Sequence, residues 1–201
     1  MSGARRRRPG IRLLLILAAL ASIIAGYYLG QYWQRRPLAE LSAQIYPAGR
    51  PVEFPAGVDP DAQRAATTPV PWRLFLSADT RDVQCVRLIR HYATVINRLA
   101  AWPDIQARLR LTLLAYDQPD ATEVDAFTGG AEWIEVITAD PESLDQLSSQ
   151  LGLMPKADAW CTANAANAIL VSPKHRQWAL IPHEQAAMMA HNIRTIIAFV
   201  E

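Results

Sequence analysis

The sequence is poor in the residues that announce most chemistries. It holds two cysteines in 201 residues, Cys85 and Cys161, so neither a Cys-x-x-Cys redox pair nor a four-cysteine zinc site can be assembled from it. It contains no Gly-rich phosphate loop, no Gly-x-Ser-x-Gly elbow and no His-Glu-x-x-His helix, the local signatures of nucleotide-binding loops, serine hydrolases and zinc proteases. Paired acids such as Asp117 with Asp120 or Glu132 with Glu135 read as ordinary charges at strand and helix edges, so an enzyme is not expected. Acidic residues are absent before Pro37, whereas seven of the 20 basic residues (Arg5 to Arg8, Arg12, Arg35, Arg36) lie there. From Pro37 onward 13 basic residues face 19 acids, a net charge of −6. A mildly acidic remainder without a basic stripe argues against nucleic acid as a partner, because binding there needs clustered Lys and Arg to displace phosphate counterions.

Against these absences stands one long apolar run. Leu13 to Tyr32 carries no charge, and at roughly 1.5 Å per residue it reaches about 30 Å, the thickness of a hydrocarbon core. Tyr27, Tyr28, Tyr32 and Trp33 gather at its carboxyl end, where amphipathic rings favour the headgroup boundary. Five arginines precede the run and two follow it, a bias that puts the amino terminus in the cytoplasm and the rest outside. A cleaved signal peptide is the alternative, with Ala19-Leu20-Ala21 as its small-residue site. The continuation of apolar and aromatic residues past Ala21 favours an uncleaved anchor, and no cysteine closes the run to accept a lipid. The sequence thus predicts a single-pass protein of the inner membrane, with the bilayer as its first partner. Its parts are a cytoplasmic tail (1–12), a transmembrane anchor (13–33), a linker (34–71) and one domain on the periplasmic side (72–201).

The linker holds seven of the 14 prolines and should be extended, lying over the domain or leading to it. Within it PAGRPVEFPAG suits an edge strand or a strap, since proline cannot serve a central strand. Trp72 to Ser77 reads as a buried strand. Residues 82–101 place Val86, Ile89, Ala93, Ile96 and Ala100 at helical spacing, with Tyr92 and Leu99 widening the stripe, and Pro103 ends the pattern. A strand at 109–116, a short helix to Phe127, a strand at 133–137 and a helix from Asp140 to about Gly152 follow. Residues 165–171 and 177–181 form a hairpin around Ser172-Pro173-Lys174, and 184–200 is a last amphipathic helix. Alternation of strands and helices predicts an α/β sheet with helices on both faces. Its first strands run parallel and its hairpin antiparallel, which a thioredoxin-like fold satisfies. In such a sheet ligands gather beyond the carboxyl ends of the strands. That points to the loop 77–85, with Cys85 in a first helical turn whose unpaired N–H groups favour a thiolate.

Three stretches, WRLFLSADTRDVQC, ITADPESLDQLSSQLGL and ANAANAILVSPKHRQWALIPHE, resemble the Sco/SenC family. These are membrane-tethered thioredoxin-fold proteins that help metallate the copper centre of cytochrome oxidase. The resemblance runs from anchor to carboxyl terminus. It implies copper ligation by a Cys-x-x-x-Cys pair on the first loop and a histidine ahead of the hairpin. Here those positions are Arg81, Cys85 and Asn164, so two of three ligands are missing: arginine stays protonated, and a neutral amide suits soft Cu(I) poorly.

The resemblance also implies that Cys161, three residues ahead of Asn164, faces Cys85. Three outcomes stay open: a disulfide between them in an oxidising compartment, two buried and unlinked thiols, or a rebuilt Cu(I) site from Cys85, Cys161 and Met154 or a histidine. His91, His175, His183 and His191 have no i, i+4 partner, and His91 and His183 in particular read as satisfied or surface residues. No cofactor is required. The functional expectation is an accessory of cytochrome oxidase biogenesis or copper handling with a degenerate copper site, meeting oxidase subunits or another assembly factor. The alternatives are a tethered thiol–disulfide exchange protein, for which Cys85 and Cys161 are the redox residues, and a non-catalytic interaction domain of a membrane complex.

Overall fold

The computed structural model describes residues 9–62, 65, 68–153, 161–162 and 167–201, with the backbone alone at 9–13 and 31–37. It divides into two compact units, one up to Glu40 and one from Leu41 to Glu201.

The first unit is a single helix, α1 (Pro9–Ala39), of 31 residues. Its described side chains from Leu14 to Gly30 are all exposed, Leu14, Ile23 and Tyr28 among them. Apolar residues surround the helix rather than forming one face, so it is not an ordinary surface helix. Among the described residues no helix is long and apolar enough to cross a membrane. The expected transmembrane segment 13–33 is therefore not carried by the structure, and the helix itself continues past residue 33 to Ala39.

The second unit is built on a six-stranded sheet. Its strands are β1 (Gln44–Pro51), β2 (Trp72–Ala78), β3 (Leu109–Ala115), β4 (Ile134–Ile137), β5 (Ala168–Val171) and β6 (Arg176–Ile181), in the spatial order β1-β6-β5-β2-β3-β4. β2, β3 and β4 are parallel, β5 runs antiparallel to β2, and β6 and β1 continue antiparallel. Every residue of β2 is buried, as a strand covered on both faces requires. β1 holds Pro47 and Pro51 and lies at an edge, where a missing N–H costs no central hydrogen bond. Its register shifts between Ile45 and Arg50. Gly49 sits in that irregularity at φ +61, and a Cβ there would stand 3.1 Å from Arg176 Nε and from the Trp178 ring.

Helix ends follow local chemistry. In α2 (Val83–Arg98) the Asp82 side chain accepts from the Gln84 N–H, satisfying one of the donors a helix start leaves unpaired. α4 (Ala121–Thr128) opens on an Asp120–Glu123 capping box, and α5 (Pro141–Leu151) on Asp140 with Pro141 just inside; both end at a left-handed glycine. The helix read over 82–101 is divided: α2 stops at Arg98, a 3₁₀ turn covers Leu99–Ala101, and α3 (Pro103–Ala107) follows. Its inner face is also rotated from the expected stripe. Cys85, Leu88, Tyr92, Val95, Ile96 and Leu99 are buried, whereas Val86, Ile89 and Ala93 are half-buried and Ala100 is exposed. The expected stripe left out Cys85 and Leu88, which continue the three- and four-residue spacing as well as Val86 and Ile89 do.

Residues 52–62 lie over the sheet as a strap. Val52 and Val58 are buried with Phe75, Leu114, Ile169 and the α5 leucines 144, 147 and 151. Alternate strand residues Leu74, Leu76 and Leu113 point to the opposite face, where α2 packs on α6 (Ala186–Val200). The proline-rich stretch from Leu41 thus belongs to the compact unit rather than preceding it.

Candidate functional site

Strand β2 ends at Ala78, and the chain turns through Asp79, Thr80 and Arg81 into α2. The Cys85 N–H donates to the Asp82 carbonyl at 3.0 Å, placing the cysteine in the first helical turn. Cys161 approaches from the segment ahead of β5, in a left-handed conformation at φ 56. Its sulfur lies 3.8 Å from the Ser77 carbonyl oxygen at the end of β2. The two cysteines form a disulfide with their Cα atoms 4.9 Å apart, inside the range a bridge accepts. Both are buried, Cys85 1% and Cys161 8% exposed, which limits access by an attacking thiol. In this oxidised state neither sulfur is a thiolate, the form that ligates metal.

The structure places two of the three positions that the resemblance implies for copper. Arg81, 64% exposed, pairs with Glu123 at 3.1 Å; Cys85 is committed to the disulfide; Asn164 lies outside the described residues, as does Met154. In the turn between β2 and α2, Thr80 Oγ1 donates to Asp117.

The histidines depart most from their sequence reading. His91 on α2 and His183 on the β6–α6 loop are half-buried and meet, with ring centroids 4.6 Å apart. His91 Nε2 lies 3.3 Å from the sulfur of Met189 on α6. The His183 N–H donates to Asn167 Oδ1 at 3.1 Å, while its Nδ1 is buried with no hydrogen-bond partner. Burial, and then the neighbouring His91, hold the His183 imidazole below its ordinary pKa, so it stays neutral at neutral pH. A cleft of about 400 Å³ opens between these rings and Cys161, with Gln84 and Arg87 on its rim. His191 is exposed. His175 lies 3.2 Å from Asp61, a partner 114 residues away that no local motif would reveal.

A second polar cluster sits under the strap. Arg73 bonds both Asp61 oxygens and, through Nε, Glu135 Oε2 at 2.9 Å. Burial pulls the guanidinium pKa down, but Asp61 and Glu135 outweigh it and hold it above the ordinary value. Asp59, Asp61 and His175 also bring their ligand atoms within 4.8 Å of one another. With the fixed positive charge of Arg73 on both Asp61 oxygens, this cluster is a structural ion-pair network rather than a cation site.

No family model matches the sequence, and no curated protein matches it. Solved structures do. The chain is similar to apo Sco1 from Thermus thermophilus, with a TM-score of 0.54 at 16% identity over 79% of this chain and 96% of that one. It is also similar to copper-bound ScoI from Arabidopsis thaliana, with a TM-score of 0.50 at 11% identity over 64% of this chain and 85% of that one. At such identities the likeness establishes the fold, a thioredoxin-like mixed sheet flanked by helices, and leaves chemistry to be argued from the residues.

Proposed function

We propose that this chain is a divergent Sco/SenC-like accessory protein, held at the outer face of the inner membrane by its apolar amino-terminal helix. It would serve cytochrome oxidase biogenesis or copper handling by binding oxidase subunits or another assembly factor, not by catalysis. One observation carries this reading: where the resemblance puts a copper pair, one position is arginine and the remaining cysteine is locked to Cys161 in a buried disulfide. A protein that keeps the fold but ties up its thiol retains surfaces to bind with and loses the chemistry. The uncharged surface of α1 from Leu14 to Gly30 supports the tether.

The alternative, reversible thiol–disulfide exchange, draws on the position of Cys85 in a first helical turn. Burial of both sulfurs weighs against it. The midpoint potential of the Cys85–Cys161 bridge in the full chain, measured in detergent against a glutathione series, separates the two. A structural bridge is expected below about −300 mV. A potential near that of the exchange catalysts, above about −270 mV, with rapid reduction by a small dithiol, would replace accessory binding by exchange. Stoichiometric Cu(I) held through both sulfurs after reduction would restore a metallochaperone role. Recovery of oxidase subunits with the tagged chain from native membranes tests the partner.

A further inference from the structure

The end of the sheet opposite the disulfide holds a cavity that plays no part in the accessory role and does not depend on it. Cys161 lies against Ser77 near the carboxyl end of β2, whereas Trp72 opens that strand, roughly 17 Å away at about 3.3 Å per residue. There a cavity of about 550 Å³ lies between the turn joining β5 to β6, the start of β2 and the end of α6. Its size suits a small organic molecule.

Local backbone structure builds the walls. β5 and β6 pair at Leu170–Ala179 and again at Val171–Gln177, so Trp178 is the extra residue of a bulge, a device that re-aims a side chain. Its ring passes so close to Gly49 that a Cβ there would stand 3.1 Å from it. Trp72, held by its indole hydrogen bond to Glu201 at 3.1 Å, lines the cavity with it, and Pro173 and Val200 add apolar surface.

The polar groups in the lining are mostly donors. Lys174 is exposed on the turn and has no partner among the described residues. Arg176 donates to the Ala48 and Gly49 carbonyls and meets no carboxylate among the described residues. The Ser172 hydroxyl and Trp178 Nε1 are buried without a hydrogen-bond partner, a condition native structures seldom leave unexplained. The one carboxylate side chain in the lining, Glu201, is already engaged, since both its oxygens accept from Arg108 and one also from Trp72. A packing gap accounts for the volume but not for this surplus of cations and donors. An anion offsets it, and the apolar walls, which would strip the hydration of a bare inorganic ion, favour one that carries an apolar body. We propose that this cavity binds an organic carboxylate, its charge met by Lys174 and Arg176 and its apolar body by Trp72 and Trp178.

The test uses the full chain in detergent with isotope-labelled tryptophan, and phenylpropionate as the probe. The Trp178 indole resonance, assigned by its loss in Trp178→Phe, is expected to move saturably, with a dissociation constant on the order of 1 mM or below. Phenylpropanol, which has the same body and no charge, and acetate, which has the charge and no body, should each bind at least about tenfold more weakly. Lys174→Gln alters an exposed residue and should weaken the probe about three- to tenfold, with circular dichroism and the melting temperature checking that the fold is kept. No saturable movement of the Trp178 resonance, phenylpropanol or acetate binding as tightly as phenylpropionate, or an unchanged affinity in Lys174→Gln would each overturn the proposal. None of these readouts involves the disulfide or a partner protein, so such a failure leaves the accessory reading standing.

Discussion

Arg73 on the central strand, 2% exposed, grips both carboxylate oxygens of Asp61 in the overlying strap at 2.7 and 2.8 Å. Such a bidentate pair is geometrically specific, and here it fixes where the proline-rich segment crosses the sheet. A buried ion pair adds little against an apolar replacement, but breaking one side leaves a stranded charge.

Asp61→Ala is therefore expected to destabilise the protein by about 2–4 kcal/mol, just below the range for a fully buried pair because Glu135 still bonds Arg73 at 2.9 Å. The double variant Arg73→Met, Asp61→Ala should lose less than the sum of the two single losses. Urea unfolding of the four proteins measures both, and additive losses would show that the pair is not coupled.

The Cys85–Cys161 bridge closes a loop with a sequence separation of 76. By the loop-entropy relation its removal costs about 4 kcal/mol. Comparing Cys85→Ala, Cys161→Ala with the parent in guanidinium checks this, and a difference under about 1 kcal/mol would mean that the unfolded chain gains little freedom on losing the bridge.

Gly49 occupies a left-handed conformation with Arg176 and Trp178 against its α-carbon. Gly49→Ala should destabilise by about 1 kcal/mol or more and loosen β1 selectively. Amide exchange would show faster exchange at the β1–β6 pairs Gln44–Leu180 and Ile45–Ala179 than in β2 and β3.

The Glu201 carboxylate accepts from Arg108 and from the Trp72 indole. The Arg108 hydrogen bond, the largest influence, holds its pKa below the ordinary 4.5. A carboxylate depressed by folding contributes stability that is present above its unfolded pKa and is lost as pH falls through the folded one. Stability should thus decline as pH drops below about 4.5, and Glu201→Gln should flatten part of that decline. The effect is small because both partners are 40% exposed and screened by solvent. Denaturation at stepped pH and two salt concentrations measures it, and identical acid slopes in parent and variant would remove Glu201 as a contributor.

Much of the fold was legible because its signals are local. Asp82 and Asp140 stand where helices begin and Gly152 where one ends, whereas the short helix expected to open at Asp117-Gln118-Pro119 is capped by Asp120 instead. The all-apolar run at Trp72 marks the strand that becomes central, and Pro47 and Pro51 confine their strand to an edge. The rotation of the α2 face was less legible, since two overlapping sets of apolar residues fit one period. Whether Cys85 met Cys161 stayed open among three outcomes until their Cα atoms were found 4.9 Å apart.

By itself the sequence determined most of the elements, their order and the motifs the chain lacks, because backbone preference and capping act over a few residues. Only the tertiary structure decided that His91 reaches Met189 across 98 residues, that His183 packs against His91, and that Asp61 closes the strap on Arg73. Those meetings depend on how helices and loops stack on the sheet. A side chain's partner across such a distance is set by the packing of whole elements, which no spacing within a single element encodes.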